Sequence, residues 1–102
     1  MSSRVEQFQA LVTGNPGNEL FRFSLAQALL AEQRTADAVP HLEFCVRQRV
    51  DWMIPRIVLG KTLIALNRRD EAKPLLEDAL RLAIEQAHEE PERDDRALLA
   101  DL

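Results

Sequence analysis

Glycine is scarce in this chain of 102 residues, with three in all, at positions 14, 17 and 60. They are too far apart to build a phosphate-cradling loop, so no Gly-rich nucleotide site is expected. Cysteine occurs once, as Cys45, and cannot form an internal disulfide. That points to a reducing compartment, and the expected location is the cytoplasm. The opening "MSSRVEQFQALV" lacks the continuous apolar core of a signal peptide. No run of Ser, Gln or Pro marks a disordered linker. A basic face is missing too: the net charge is −4, and eleven of the thirteen basic residues are scattered arginines. Neutralising phosphates takes a concentrated cationic surface, which excludes nucleic acid as the expected partner. The most apolar stretch, "MIPRIVLGKTLIAL" at residues 53–66, makes about 21 Å of helix. A membrane span needs about 20 apolar residues, so no contact with a membrane is expected.

What is present is the profile of an ordinary soluble globular chain, 46% hydrophobic and 29% charged, of a length that fits one domain. The organising signal is an internal repeat. A shift of 34 residues lays 19–52 onto 53–86 with ten identities: Arg22/Arg56, Leu25/Leu59, Leu29/Leu63, Ala31/Ala65, Arg34/Arg68, Ala38/Ala72, Pro40/Pro74, Leu42/Leu76, Glu43/Glu77 and Arg47/Arg81. Ala26/Gly60 and Cys45/Ala79 keep small size without identity. The same shift brings "FQALVTGNPGN" under "LEFCVRQRVDW", so the chain reads as a half repeat (1–18), two whole repeats (19–52 and 53–86) and a C-terminal cap or tail (87–102).

Each whole repeat divides into two helices. The first runs over about 19–32 behind Asn18, a good N-cap, and its counterpart over about 52–66 behind Asp51. Pro55 falls in the first turn of that helix, where a missing N–H matters least. The second helices begin near Thr35 and near residue 70, and Pro40 and Pro74 cost each of them at most one hydrogen bond. Glu43–Arg47 and Glu77–Arg81 are spaced as i,i+4 ion pairs on solvated faces.

These features resemble the tetratricopeptide repeat (TPR), a helix–turn–helix unit with the pattern W-x2-L-G-x2-Y, then A-x3-F, then Pro. The second unit has Arg56-x2-Leu59-Gly60-x2-Leu63 and Ala72-x3-Leu76; the first has Arg22-x2-Leu25-Ala26-x2-Leu29 and Ala38-x3-Leu42. Pro16 stands where the family's terminal proline does. Arg replaces Trp and Leu replaces Tyr in both units, and Val50 and Ile84 replace the later prolines. The resemblance covers roughly residues 4–86. It implies an all-α, TPR-like solenoid of antiparallel helix pairs, about five helices plus a short C-terminal one.

At about 100° per residue, Leu25, Ala26 and Leu29 fall on one side of the first helix, as do Leu59, Gly60 and Leu63 of its counterpart. These are expected to pack on the second helices. The opposite side carries Leu20, Phe23, Ser24, Gln27, Leu30 and Ala31 in one unit, and Ile54, Ile57, Val58, Lys61, Ile64 and Ala65 in the next. The resemblance implies that this side lines a concave groove for a protein or peptide partner. Apart from the two alanines, these are the candidate partner-binding residues. An apolar patch of this size marks an interaction site. Three covers are open: a partner's helix or extended segment, the same face of a second copy in a homodimer, or the chain's own tail through Leu98, Leu99 and Leu102. The Lys and Asn pair with which some TPR domains hold a C-terminal carboxylate is replaced by Phe23 and Gln27, and by Ile57 and Lys61, so an acidic peptide end is not the expected ligand.

No catalytic set is legible. His41 and Cys45 stand four residues apart, but two ligands do not make a metal site, and no His/Asn or His/Asp arrangement accompanies Cys45 as a nucleophile. The acidic residues of 89–95 alternate with Arg93 and Arg96 and read as a solvated tail or a capping helix, not as paired catalytic carboxylates or a calcium loop. The expectation is a protein-binding module without cofactor, metal or enzymatic activity. The alternative is a self-association module built on the same face.

Overall fold

The computed structural model describes residues 3–102, which form six helices: α1 (Arg4–Gly14), α2 (Glu19–Ala31), α3 (Thr35–Gln48), α4 (Met53–Ala65), α5 (Arg69–Glu85) and α6 (Glu89–Ala100). Among the described residues there is no strand, and no helix is long and apolar enough to cross a membrane. The chain divides into two compact units, Met1–Arg49 and Val50–Leu102, just ahead of the repeat boundary after residue 52.

In the first unit α2 packs against both α1 and α3. Ser3 caps α1 by accepting from the Glu6 amide at 3.1 Å, and Asn18 caps α2 by accepting from the Phe21 amide at 3.0 Å. The spacing Leu25–Ala26–Leu29 puts three apolar groups on one side of α2, and all three are buried together with Ala38, Leu42 and Cys45 of α3. The helices leave small residues where they come together, which permits the close approach.

The second unit repeats this arrangement with α4 against α5, then adds α6 on α5. Leu59, Gly60 and Leu63 are buried, as are Ala72, Leu76 and Ala79. Gly60 marks a close approach of α4 to α5. A Cβ there would lie 2.6 Å from Leu76 Cδ2 and 2.8 Å from its Cγ. Asp51, expected to cap α4, does not: the cap position is Trp52, without a side-chain cap bond, and the Asp51 backbone carbonyl instead accepts from the Gln86 side-chain Nε2 at 3.0 Å.

Three helix ends are closed by one device. Gln33, Asn67 and Ala87 adopt left-handed backbone with φ of 60°, 62° and 56°. The next amide in each case donates back over five residues: Arg34 to Leu29 at 2.8 Å, Arg68 to Leu63 at 2.7 Å and His88 to Ala83 at 2.9 Å. This satisfies carbonyls that a helix end leaves open, although glycine is the residue that adopts the conformation without strain. The charged residues after the first two turns recur as well, with Arg34–Asp37 at 3.1 Å and Arg68–Glu71 at 2.6 Å. The i,i+4 pair expected between Glu77 and Arg81 gives way to Arg81–Glu85 at 3.2 Å.

Candidate functional site

The face expected to bind a partner has an uneven exposure. On α2, Leu20 is 53% exposed and Gln27 is exposed, while Phe23, Ser24 and Leu30 are half-buried. On α4, Ile54 is 40% exposed and Lys61 is exposed, while Val58 and Ile64 are half-buried. Ile57 departs from the expectation. It is only 6% exposed and belongs to a core cluster with Met53, Ala79, Leu82 and Ala83. It is covered by α5 through Ala79, Leu82 and Ala83, and Leu98 of α6 packs against the same cluster. Ile57 is therefore a core residue whose edge reaches the surface, and the tail supplies part of the cover that α4 requires.

The remainder of that surface is a cleft of about 210 Å³ between α4 and α6. Ile54, Ile57, Val58 and Lys61 line it from α4, and Glu90, Pro91 and Asp94 from α6. The residues on the α6 side were not among those expected to bind. Carrying the 34-residue shift once more would have found only Pro91: it lays 87–100 under 53–66, with Pro91 under Ile57, but Glu90 under Arg56 and Asp94 under Gly60. The helix α6 thus stands in the register of another first helix.

Asp95 departs from the solvated reading of 89–95, a run that lies in helix α6. It is fully buried, and neither carboxylate oxygen has a hydrogen-bond partner among the described residues. Burial pushes its carboxyl up to about 6, Asp94 adds to the rise, and the charge of Lys61 opposes it. On the exposed side of the same helix, Arg96 pairs with Glu92 at 3.4 Å. Glu90 and Asp94 make no ion pair or hydrogen bond through their side chains among the described residues.

Cys45 and His41 do structural work. The Cys45 thiol donates to the Glu19 carbonyl at 3.3 Å and is fully buried. Burial, reinforced by the Glu19 charge, raises it to about 11, so the sulfur is a protonated thiol at neutral pH rather than a nucleophile. His41 is half-buried, and its imidazole is held below the usual range, first by burial and then by the charge of Arg22.

A family model described as "Tetratricopeptide repeat" matches residues 20–43 and 53–78, the two places where the 34-residue shift set the repeats. No curated protein matches the sequence. Among solved structures, the chain is similar to the solution structure of protein BPP2914 from Bordetella parapertussis. The two are 23% identical, with a TM-score of 0.81 over 99% of this chain and 88% of that one. That likeness shows the fold.

Proposed function

Because the chain belongs to the tetratricopeptide-repeat family, whose repeats generally mediate protein–protein interaction, we propose that it is a binding module for a partner's peptide or helix. Each unit offers an open first-helix face for such a partner: Leu20, Phe23 and Leu30 on α2 in the first, and Ile54, Val58, Lys61 and Ile64 on α4 in the second. The observation that carries this reading is the exposure of Leu20 and Ile54, 53% and 40%, each beside half-buried apolar neighbours on its own helix. An aliphatic group left open contributes roughly 1.5–3 kcal/mol when a partner covers it. The buried free thiol of Cys45 fits a reducing, cytoplasmic setting.

Peptides selected from a display library against the whole chain provide the test. Leu20→Glu and Ile54→Glu alter exposed side chains, so both variants should keep the helical circular dichroism of the parent. Binding of the selected peptides should fall at least tenfold in one variant or the other. Peptides that bind both variants as well as the parent would place the binding surface elsewhere. Light scattering decides the alternative: a dimer that Ile54→Glu dissociates would make the face a contact between two copies.

A further inference from the structure

We propose that the cleft between α4 and α6 takes a cationic, aliphatic segment of a partner protein, an Arg or Lys beside a Leu-like residue; this rests on the reading of α4's open face as the partner surface. The floor of the cleft is apolar. Ile57 lies at its base, Ile54 and Val58 flank it, and Pro91 faces them from α6. One rim is anionic, with Glu90 and Asp94 both exposed and neither engaged in an ion pair or hydrogen bond among the described residues. Of the two arginines on α6, Arg96 is used in the pair with Glu92, and Arg93 does not line the cleft.

Lys61 is the single basic group lining the cleft, and it does not reverse the sign of the site. Behind it sits Asp95, fully buried, with both oxygens unpartnered and within electrostatic reach of the ammonium. Lys61 is thus offset from within, and the two free carboxylates determine what a ligand meets. An anionic segment would be repelled by Glu90 and Asp94. A wholly apolar one would leave them without a counter-charge. A segment that places an aliphatic side chain on Ile54, Ile57 and Val58, and a guanidinium or ammonium between Glu90 and Asp94, satisfies floor and rim together. Complementarity of this kind fixes which partner is chosen more than how tightly it is held.

The experiment uses three fluorescein-labelled helical peptides that share one leucine face and carry Arg, Gln or Glu at the flanking positions. Fluorescence anisotropy with the full chain at low salt should show the Arg peptide binding roughly five- to tenfold tighter than the Gln peptide, the sum of two exposed charge contacts. The Glu peptide should bind weakest. The preference should shrink in high salt and vanish in Glu90→Gln/Asp94→Asn, a pair of exposed changes that leave the fold in place. Equal binding of the Arg and Gln peptides, or a preference that survives the double substitution, overturns the proposal. If Ile54→Glu abolishes binding in that case, the partner face stands and only its charge selectivity fails. If Ile54→Glu has no effect, or no peptide binds, both readings fall. A dimer in light scattering that Ile54→Glu dissociates would give the cleft to a second copy and overturn the cationic partner.

Discussion

Arg56 donates from Nη2 to the carbonyl oxygen of Val50 at 3.0 Å, tying the first turn of α4 to the segment before it. Thirty-four residues earlier, Arg22 donates from Nε to the carbonyl of Pro16 at 2.9 Å. Their second contacts also fall at equivalent positions but differ in chemistry. The guanidinium of Arg22 lies 4.3 Å from the centre of the Phe44 ring, whereas Arg56 reaches Asp78 at 3.7 Å. Where the repeat pattern has Trp, this chain has a planar cation that fills space and also closes an open carbonyl.

Arg56→Ala should therefore destabilise the protein by about 1.5–3 kcal/mol, the range for a hydrogen bond from a charged donor. Arg56 is only 8% exposed, so lost packing adds to this. Arg56→Lys should rescue little, because a point charge cannot reproduce the fork. Urea unfolding measures both; an Arg56→Ala midpoint equal to the parent's would remove the structural role.

At Gly60 two effects oppose each other. Alanine gains up to about 1 kcal/mol of helix propensity over glycine. Its Cβ, however, would stand 2.6 Å from Cδ2 of a Leu76 that is itself fully buried and has little room to yield. Overpacking of this kind costs about 1–3 kcal/mol, so Gly60→Ala should be net destabilising rather than mild, and Gly60→Leu worse. In the first unit Ala26 occupies the equivalent position, so the expected loss is specific to Gly60. A midpoint for Gly60→Ala at or above the parent's would show that Leu76 moves aside freely.

Asp95 gives the protein a pH dependence whose sign follows from its burial. Its folded value of about 6 lies above the ordinary 3.8, so folding favours the protonated form. Its penalty is absent below about pH 4, grows as the pH rises towards 6, and is complete above that, where it reaches up to about 3 kcal/mol. Asp95→Asn should raise the melting temperature at pH 7.5 and leave it nearly unchanged at pH 4. A variant that melts lower than the parent at pH 7.5 would mean that the carboxylate has a favourable partner in solution.

Ile54 and Ile57 lie on one face of α4 yet should respond unequally. Ile57→Ala opens a cavity against Met53 and Leu82 and should cost about 2–5 kcal/mol. Ile54→Ala, at a site 40% exposed, should cost far less. Thermal melts followed by circular dichroism separate the two, and equal losses would contradict the difference in burial.

The helices themselves were legible because Leu25/Leu59, Leu29/Leu63, Ala38/Ala72 and Leu42/Leu76 repeat at 34 residues on positions that must be small or apolar. The span expected for α2, 19–32, meets Glu19–Ala31, and Asn18 caps it. The burial of Ile57 was not legible in α4. Periodicity within a helix sorts its faces but does not reveal which of them later helices will touch, and here Ala79, Leu82 and Ala83 of α5 share a cluster with Ile57 against which Leu98 of α6 packs. Asp95 could have been read from its own neighbourhood. Pro91, Leu98 and Leu102 share its face at helical spacing, which on a capping helix puts Asp95 on the inward side despite the acids around it. Asp51 failed as a cap because its residue type is suited to the role but the helix begins one position later.

The cleft joins a floor that folding fixes to a rim that folding leaves alone. Ile57 cannot drift in size without loosening the core beneath it, whereas Ile54, Lys61, Glu90 and Asp94 carry little of the packing. Across relatives that bind different segments, substitutions should accumulate at those four positions while 57 stays aliphatic. New specificities can then arise by single surface changes, with no loss of stability to be repaired afterwards.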